Sequence, residues 1–163
     1  MRHANAEWLG AVIPDFDRPL SRRGSSEAEA MGRRLRQLEL KPTLLLTSSA
    51  RRTQQTSEIV ARELGLTAGR IRTESLLYLA AAQTLLSVVN ATGPRIPHLM
   101  IIGHNPGISE VSTLLAPNED LGGLGTAALH SLAFDARTWA DVCAATIQHS
   151  GTFTARPPCD VSL

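Results

Sequence analysis

Two spacings of apolar residues alternate along the chain. Ala28, Met31, Leu35 and Leu38 keep to one face of a helix predicted over 25–38, with Ser25 or Ser26 placed to cap it. Glu27 and Glu29 suit its positive end. Thr43-Leu44-Leu45-Leu46-Thr47 is a short continuous apolar run, the pattern of a strand buried on both faces. A second helix is expected over 50–64 and ends at Gly65. A short strand follows over 70–73. Next comes a helix over 80–90 carrying Leu85, Leu86 and Val89, broken by Thr92-Gly93-Pro94. The run 98–103, His-Leu-Met-Ile-Ile-Gly, is the clearest strand. It leads through His104-Asn105-Pro106-Gly107 into a helix with Ile108, Val111, Leu114 and Leu115 on one side. A loop over 117–125, a strand over 126–134, a helical turn over 137–142 and a last strand over 152–156 complete the pattern. Near the start, Pro14, Asp15, Asp17 and Pro19 mark 10–19 as loop.

Strands alternating with helices of this length predict an α/β fold: a three-layer αβα sandwich, its central sheet mostly parallel with helices on both faces. No repeat, low-complexity segment or linker divides the 163 residues, so one domain spanning 1–163 is expected. Ligands of such sheets bind beyond the carboxyl ends of the strands. That rule selects three stretches: 2–5, 47–52 and 103–107.

Composition narrows the chemistry mainly by exclusion. The formal net charge is +1, so no broad basic field draws nucleic acid. No apolar run approaches the ~20 residues of a membrane span, and no signal-peptide pattern opens the chain. Lys41 is the one Lys among 16 basic residues, a bias better assigned to genome composition than to function. Cys143 and Cys159 have neither Cys-x-x-Cys spacing nor matching His residues, and read as free thiols of a reducing compartment. A cytoplasmic protein without a cofactor or metal is the expectation.

The three strand ends carry the candidate chemistry. A neutral imidazole such as that of His3 is a competent nucleophile, and the guanidinium of Arg2 suits phosphate oxygens. The plain alternative is a frayed terminus. At 103–107, Asn105 suits an N-cap and Pro106 the first helical position, which sets His104 beside the positive end of a helix. The alternative is a cap that His104 merely precedes. Arg51 and Arg52 fall in the first turn of a helix, where cations are unfavourable and a bound anion would account for them. Otherwise both point into solvent. His98, His130 and His149 read as ordinary strand or loop residues. The Gly122-Gly123-Leu124-Gly125 cluster lacks the strand-to-helix context of a phosphate loop and reads as a flexible loop.

Taken in order, Arg2-His3-Ala4, the Ser48-x-x-x-Arg52-x-x-Gln55-Thr56 stretch and Gly103-His104-Asn105-Pro106 resemble the histidine phosphatase superfamily, with its phosphoglycerate mutase-like fold. Asp17-Arg18-Pro19-Leu20-Ser21-Arg22-Arg23-Gly24, Leu77-Tyr78-Leu79-Ala80, Phe134-Asp135 and Trp139 look like the short SixA-type phosphohistidine phosphatases. The resemblance implies that His3 takes the phosphoryl group, that Arg2, Arg52 and His104 hold its oxygens, and that water then releases inorganic phosphate without a metal. Arg52 rather than Arg51 matches the second arginine, lying four residues after Ser48 and three before Gln55. Glu74 is the candidate proton donor, at the place where larger relatives carry theirs; a surface Glu is the alternative.

Relatives carry a short apolar strand directly before the Arg-His pair, so a native start upstream of Met1 is expected, and with it an incomplete first strand. The expected partner is a phosphohistidine-bearing protein or a small phosphorylated substrate, with no nucleic acid and no membrane. The alternatives are a phosphomonoesterase for a sugar or nucleotide phosphate, and a phosphate-binding module that turns nothing over.

Overall fold

The computed structural model describes residues 1–8, 13–119 and 122–155. In chain order the regular elements are α1 (Arg22–Gln37), β1 (Leu44–Ser48), α2 (Arg51–Leu64), β2 (Ile71–Glu74), α3 (Ala82–Asn90), β3 (Leu99–Ile102), α4 (Gly107–Leu115), β4 (Leu129–Phe134) and β5 (Ile147–Phe153). Strands β2, β1 and β3 form a parallel sheet with β1 in the middle. Strands β4 and β5 pair antiparallel.

Alternate residues of the parallel sheet face opposite layers, as the pleat requires. Leu45, Met100 and Ile102 point to one side, where they pack with Ala28, Met31 and Leu35 of α1 and Val60 and Leu64 of α2. Leu44, Leu46, Leu99 and Ile101 point to the other, against Leu85 of α3 and Ile108 of α4. The three-layer αβα reading is therefore the observed one. It also accounts for the unbroken apolar run at 43–47, since β1 is covered on both faces.

The chain start joins this sheet. Met1 and His3 bracket Gly103: Gly103 N donates to Met1 O at 3.1 Å and His3 N to Gly103 O at 3.0 Å. On the other side Arg2 N donates to Ala128 O at 3.0 Å and Ala127 N to His3 O at 3.1 Å. Residues 2–3 thus lie between the end of β3 and the chain that enters β4.

Several boundaries differ from the sequence reading for local reasons. Helix α1 begins at Arg22, because the hydroxyl of Ser21, and not of Ser25 or Ser26, accepts the Gly24 N–H at 3.0 Å. Ser25 and Ser26 sit inside the helix and donate back to the carbonyls of Ser21 and Arg22. Helix α4 is led by Pro106 rather than capped by Asn105, whose amide instead donates to Leu124 O at 2.9 Å. Helix α3 starts two residues late, after an extended Ala81. Strand β4 starts at Leu129 because Ala127 and Ala128 are already paired with the chain start. Strand β5 runs from Ile147, earlier than expected, since pairing with β4 recruits the polar stretch Gln148-His149-Ser150 that carries no apolar alternation. Arg156 and Cys159 lie outside the described residues, as do parts of the loops over 10–19 and 117–125. Cys143 is free and exposed. No helix among the described residues is long and apolar enough to cross a membrane.

Gly24 marks where α1 meets the segment that carries His3. A Cβ there would stand 1.9 Å from Asn5 O, a backbone atom that cannot swing aside. Alanine gains ~1 kcal/mol of helix propensity over glycine. A forced backbone shift costs about 1–3 kcal/mol and disturbs the Asn5 pairing as well. The clash wins, and Gly24→Ala is expected to lower the melting temperature by several degrees in a thermal unfolding scan. An unchanged or raised melting temperature would show that Asn5 is free to move.

Candidate active site

Three of the four predicted basic residues meet in direct contact at the carboxyl end of the sheet. Arg52, in the first turn of α2, is buried, while its neighbour Arg51 is exposed; only one of the pair takes the solvent-facing alternative. Arg52 Nε donates to His3 Nε2 at 3.3 Å, and Nη2 contacts His104 Nδ1 at 3.2 Å. The two imidazoles lie 5.2 Å apart between ring centres, tilted by 59°. Arg2 completes the group from the His3 side. Its Nη1 donates to Leu124 O at 3.0 Å, and its Nε is buried with no hydrogen-bond partner.

The hydrogen bonds assign the ring protons. His3 Nδ1 lies 2.8 Å from Ala4 O and so carries the proton, which leaves the lone pair on Nε2, facing Arg52. A guanidinium only donates, so His104 Nδ1 bears a lone pair and His104 Nε2–H donates to Ser48 Oγ at 2.8 Å. Both rings are neutral. Burial is the main cause, and it lowers His3 to about 4 against the Ala4 bond that favours charge; Arg52, Arg2 and Arg18 lower it further. Burial likewise lowers His104 to about 3, aided by Arg52 and His3 and opposed by Asp15.

The motif around Arg52 is a set of struts. Thr56 Oγ1 accepts from Ala4 N at 3.1 Å and donates to Arg52 O at 2.7 Å, joining the His3 segment to the helix that carries the arginine. Gln55 Oε1 accepts from Leu20 N at 2.7 Å. Thr53 Oγ1 donates to Ser48 O and Ala50 O, pinning the turn between β1 and α2.

Glu74 sits at the end of β2, beside Ser48 in register. Its carboxylate pairs with Arg72 Nε at 2.7 Å, and not with the two histidines or Arg52. The glycine cluster proves to be tethered: Leu124 is buried, its carbonyl accepts from both Arg2 and Asn105, and its N–H donates to Ser109 Oγ at 3.0 Å. His98 and His149 are exposed, and His130 lies on β4.

Two further groups reach the site. Asp15, in a short 3-10 turn over Asp15–Asp17, places Oδ2 3.0 Å from Arg52 Nη2 and accepts from Arg52 Nη1 with its backbone carbonyl. Burial raises its carboxyl, but bonds from Arg18 and Tyr78 and the contact with Arg52 prevail and hold it below the usual carboxylate range. Tyr78 donates to Asp15 Oδ2 at 3.1 Å while its ring stands edge-on to His104, centres 5.5 Å apart. Burial and the Asp15 bond raise the Tyr78 hydroxyl. The signal that would have found Asp15 is charge balance, since a buried arginine needs a carboxylate and residues 13–19 supply it. Among the described residues no group of three or more His, Cys, Asp or Glu side chains is placed to hold a metal ion.

An imidazole lone pair facing a guanidinium, with a second imidazole and a second guanidinium beside it, is suited to covalent capture of a phosphoryl group. Comparison with known proteins places the chain in a family. Residues 1–76 match the family model of the histidine phosphatase superfamily (branch 1). The solved structure of SixA from Agrobacterium tumefaciens is 31% identical, with a TM-score of 0.71 over 81% of this chain and 87% of that one. The protein histidine phosphatase SixA complexed with tungstate shares the fold at a TM-score of 0.77 over 95% of this chain and 94% of that one, at 23% identity. An uncharacterized protein of Mycobacterium tuberculosis is 34% identical over 116 residues, 71% of this chain and 70% of its own length. An uncharacterized chloroplastic protein of Arabidopsis thaliana is 31% identical over 124 residues, 71% of this chain but 57% of the plant protein, so the chain spans less than two thirds of that relative. The chain belongs to the histidine phosphatase superfamily. It is a phosphatase of that class.

The lowered histidines have a measurable signature. Their folded values lie below the ordinary 6.5, so between about 6.5 and 4 the unfolded chain binds more protons. Stability is full above about 6.5 and falls as the pH drops towards 4, by about 1.4 kcal/mol per pH unit for each ring. Melting temperature is expected to decline over that interval. Nitrogen-edited NMR is expected to show His3 as the neutral Nδ1–H form down to about pH 5. A His3 ring titrating near 6.5 would contradict the assigned burial and contacts.

Proposed function

We propose that this phosphatase works without a metal, through a phosphohistidine intermediate on His3, and that its substrate is phosphohistidine in a protein. The observation that carries the reading is the His3 Nε2 lone pair, aimed at Arg52 Nε with His104 5.2 Å away. That lone pair attacks phosphorus, the bond from phosphorus to the donor nitrogen breaks, and its electron pair stays on the departing imidazole. A phosphoimidazole already protonated on its other nitrogen leaves as neutral imidazole, so little is asked of a proton donor. Water then attacks the phosphoryl group on His3, the phosphorus–nitrogen bond breaks, and phosphate leaves as His3 regains its lone pair.

The protein's part is positioning and charge stabilisation, the main terms in phosphoryl transfer. Arg52 loses its acceptor when Nε2 bonds phosphorus, and its Nε–H is then free for a phosphoryl oxygen. The unpartnered Arg2 Nε is a second available donor. A dianion beside His104 favours the charged ring, opposing the effect of burial and of Arg52 and adding a third donor. Exposed aromatic rings next to Asp15 favour a protein substrate: Phe16 is partly exposed with its ring 5.1 Å from that of Tyr78, and Trp8, 80% exposed, stacks under the guanidinium of Arg18. The name of the 31% identical relative from Agrobacterium tumefaciens, a phosphohistidine phosphatase SixA, points the same way.

Phosphate esters are the second reading, favoured by the position of Glu74 at the end of β2. An alkoxide leaving group needs a proton, and Glu74 is the carboxyl proposed to supply it.

Hydrolysis of a phosphohistidine-bearing protein and of p-nitrophenyl phosphate, both with chelator present, tests this. His3→Ala is expected to abolish both activities while retaining phosphate affinity within about tenfold. Turnover surviving in His3→Ala would remove the covalent route, and phosphate binding without turnover in the unaltered protein would leave a binding module. Glu74→Gln is expected to leave phosphohistidine hydrolysis within about threefold. A loss of ~10²-fold or more for alkyl esters alone would assign Glu74 as their proton donor.

A further inference from the structure

The donors of Arg52 fall on two edges of its planar fork. The side edge, Nε and Nη2, faces His3 Nε2 and His104 Nδ1. The end edge, Nη1 and Nη2, faces the backbone carbonyl and the carboxylate of Asp15. We propose that Asp15 is a positioning residue for phosphoryl transfer: by gripping the end edge of Arg52 it aims the side edge at the oxygens of the phosphoryl group on His3. This deepens the proposed function and rests on it.

The geometry makes Asp15 a fitting clamp. Arg52 stays charged at any working pH, and its side chain is only 4% exposed. A guanidinium so buried needs acceptors, and in their absence it would turn about its Cζ axis. Asp15 is itself held from two more sides. Arg18 Nη1 donates to Oδ1 at 2.9 Å, and Arg18 Nε ties back to Glu7 O at 2.9 Å, four residues from His3. Tyr78 donates to Oδ2 and rests its ring on His104. The clamp therefore connects the two imidazoles to the arginine between them.

The side-edge hydrogens are the ones that phosphoryl transfer releases. Nε–H loses its acceptor when His3 bonds phosphorus, and the Nη2 hydrogen facing His104 loses its acceptor when that ring is protonated. Asp15 keeps the other edge throughout. The rival account, a carboxylate standing in for phosphate that must leave before substrate enters, predicts the opposite effect of its removal.

Asp15→Ala and Asp15→Asn decide between them. Asp15→Ala is expected to lower kcat/KM for p-nitrophenyl phosphate and for a phosphohistidine protein by ~10–100-fold, mostly in kcat, because a misaimed donor is costly at the transition state. Asp15→Asn keeps an oxygen for Arg52 and is expected to recover activity to within about fivefold. Melting temperatures should stay within a few degrees, since the Asp15 side chain is 47% exposed. Equal or higher kcat/KM in Asp15→Ala, with tighter inhibition by phosphate, would overturn the positioning role in favour of the stand-in. A measurement independent of turnover completes the test: the Nη hydrogens of Arg52 should give resolved NMR signals in the unaltered protein and in Asp15→Asn, and averaged signals in Asp15→Ala. Averaged signals in the unaltered protein would sink the inference whether or not the protein hydrolyses anything.

Discussion

One guanidinium, that of Arg52, sits between two neutral imidazoles and donates to both. Most of what surrounds it exists to hold that arrangement. Helix α2 brings Arg52 to the carboxyl end of the parallel sheet, and the pairing of residues 1–3 with Gly103 brings His3 alongside. The same strand end carries His104. The struts from Thr56 to Ala4 and from Gln55 to Leu20 fix the distances, so the sheet register and the hydroxyls of α2 together set the site geometry. Loss of a strut frees one side of that arrangement, and a donor misplaced by ~1 Å can cost about 10²-fold in rate.

The site is an electrostatic trap set for an anion. Two arginines beside a buried His104 and a half-buried His3 disfavour charge on both rings, which stay neutral well below their ordinary range. For His3 this keeps the lone pair available over the whole physiological span, so His3 in its proposed role as nucleophile needs no general base. For His104 the proposed cycle ends the same neutrality when a dianion binds and offsets the desolvation cost of protonation. The His104 ring presents an acceptor to Arg52, and in the proposed cycle it becomes a further donor once phosphate is bound.

The layered fold was legible because the apolar patterning was unambiguous: the run at 43–47 for a strand covered on both faces, and the stripe of Ala28, Met31 and Leu35 for a covered helix. The stretches holding His3, Arg52 and His104 could be placed because each falls at a strand end, where local pattern and topology agree, while the choice of Arg52 over Arg51 came from the family motif. What escaped was set by contacts distant in sequence. The partnership of Asp15 with Arg52 spans 37 residues, and the tether of Leu124 to Arg2 spans 122. Neither leaves a trace in spacing or periodicity. Ser21 escaped for the opposite reason: three serines crowd the start of α1, and only the geometry selects which one caps it. Strand β5 was misplaced because half of it is polar and is held by its partner rather than by burial.

In the proposed reaction the phosphoryl group passes through Nε2 of His3, the nitrogen left free when Ala4 O takes the other. The measurement that meets this most directly is rapid alkaline quench of the enzyme in turnover, followed by peptide mapping and assignment of the phosphohistidine isomer. A single acid-labile, alkali-stable phosphoryl group on Nε2 of His3 is expected. A phosphoryl group on Nδ1, on His104, or on no histidine at all during demonstrated turnover would contradict that route.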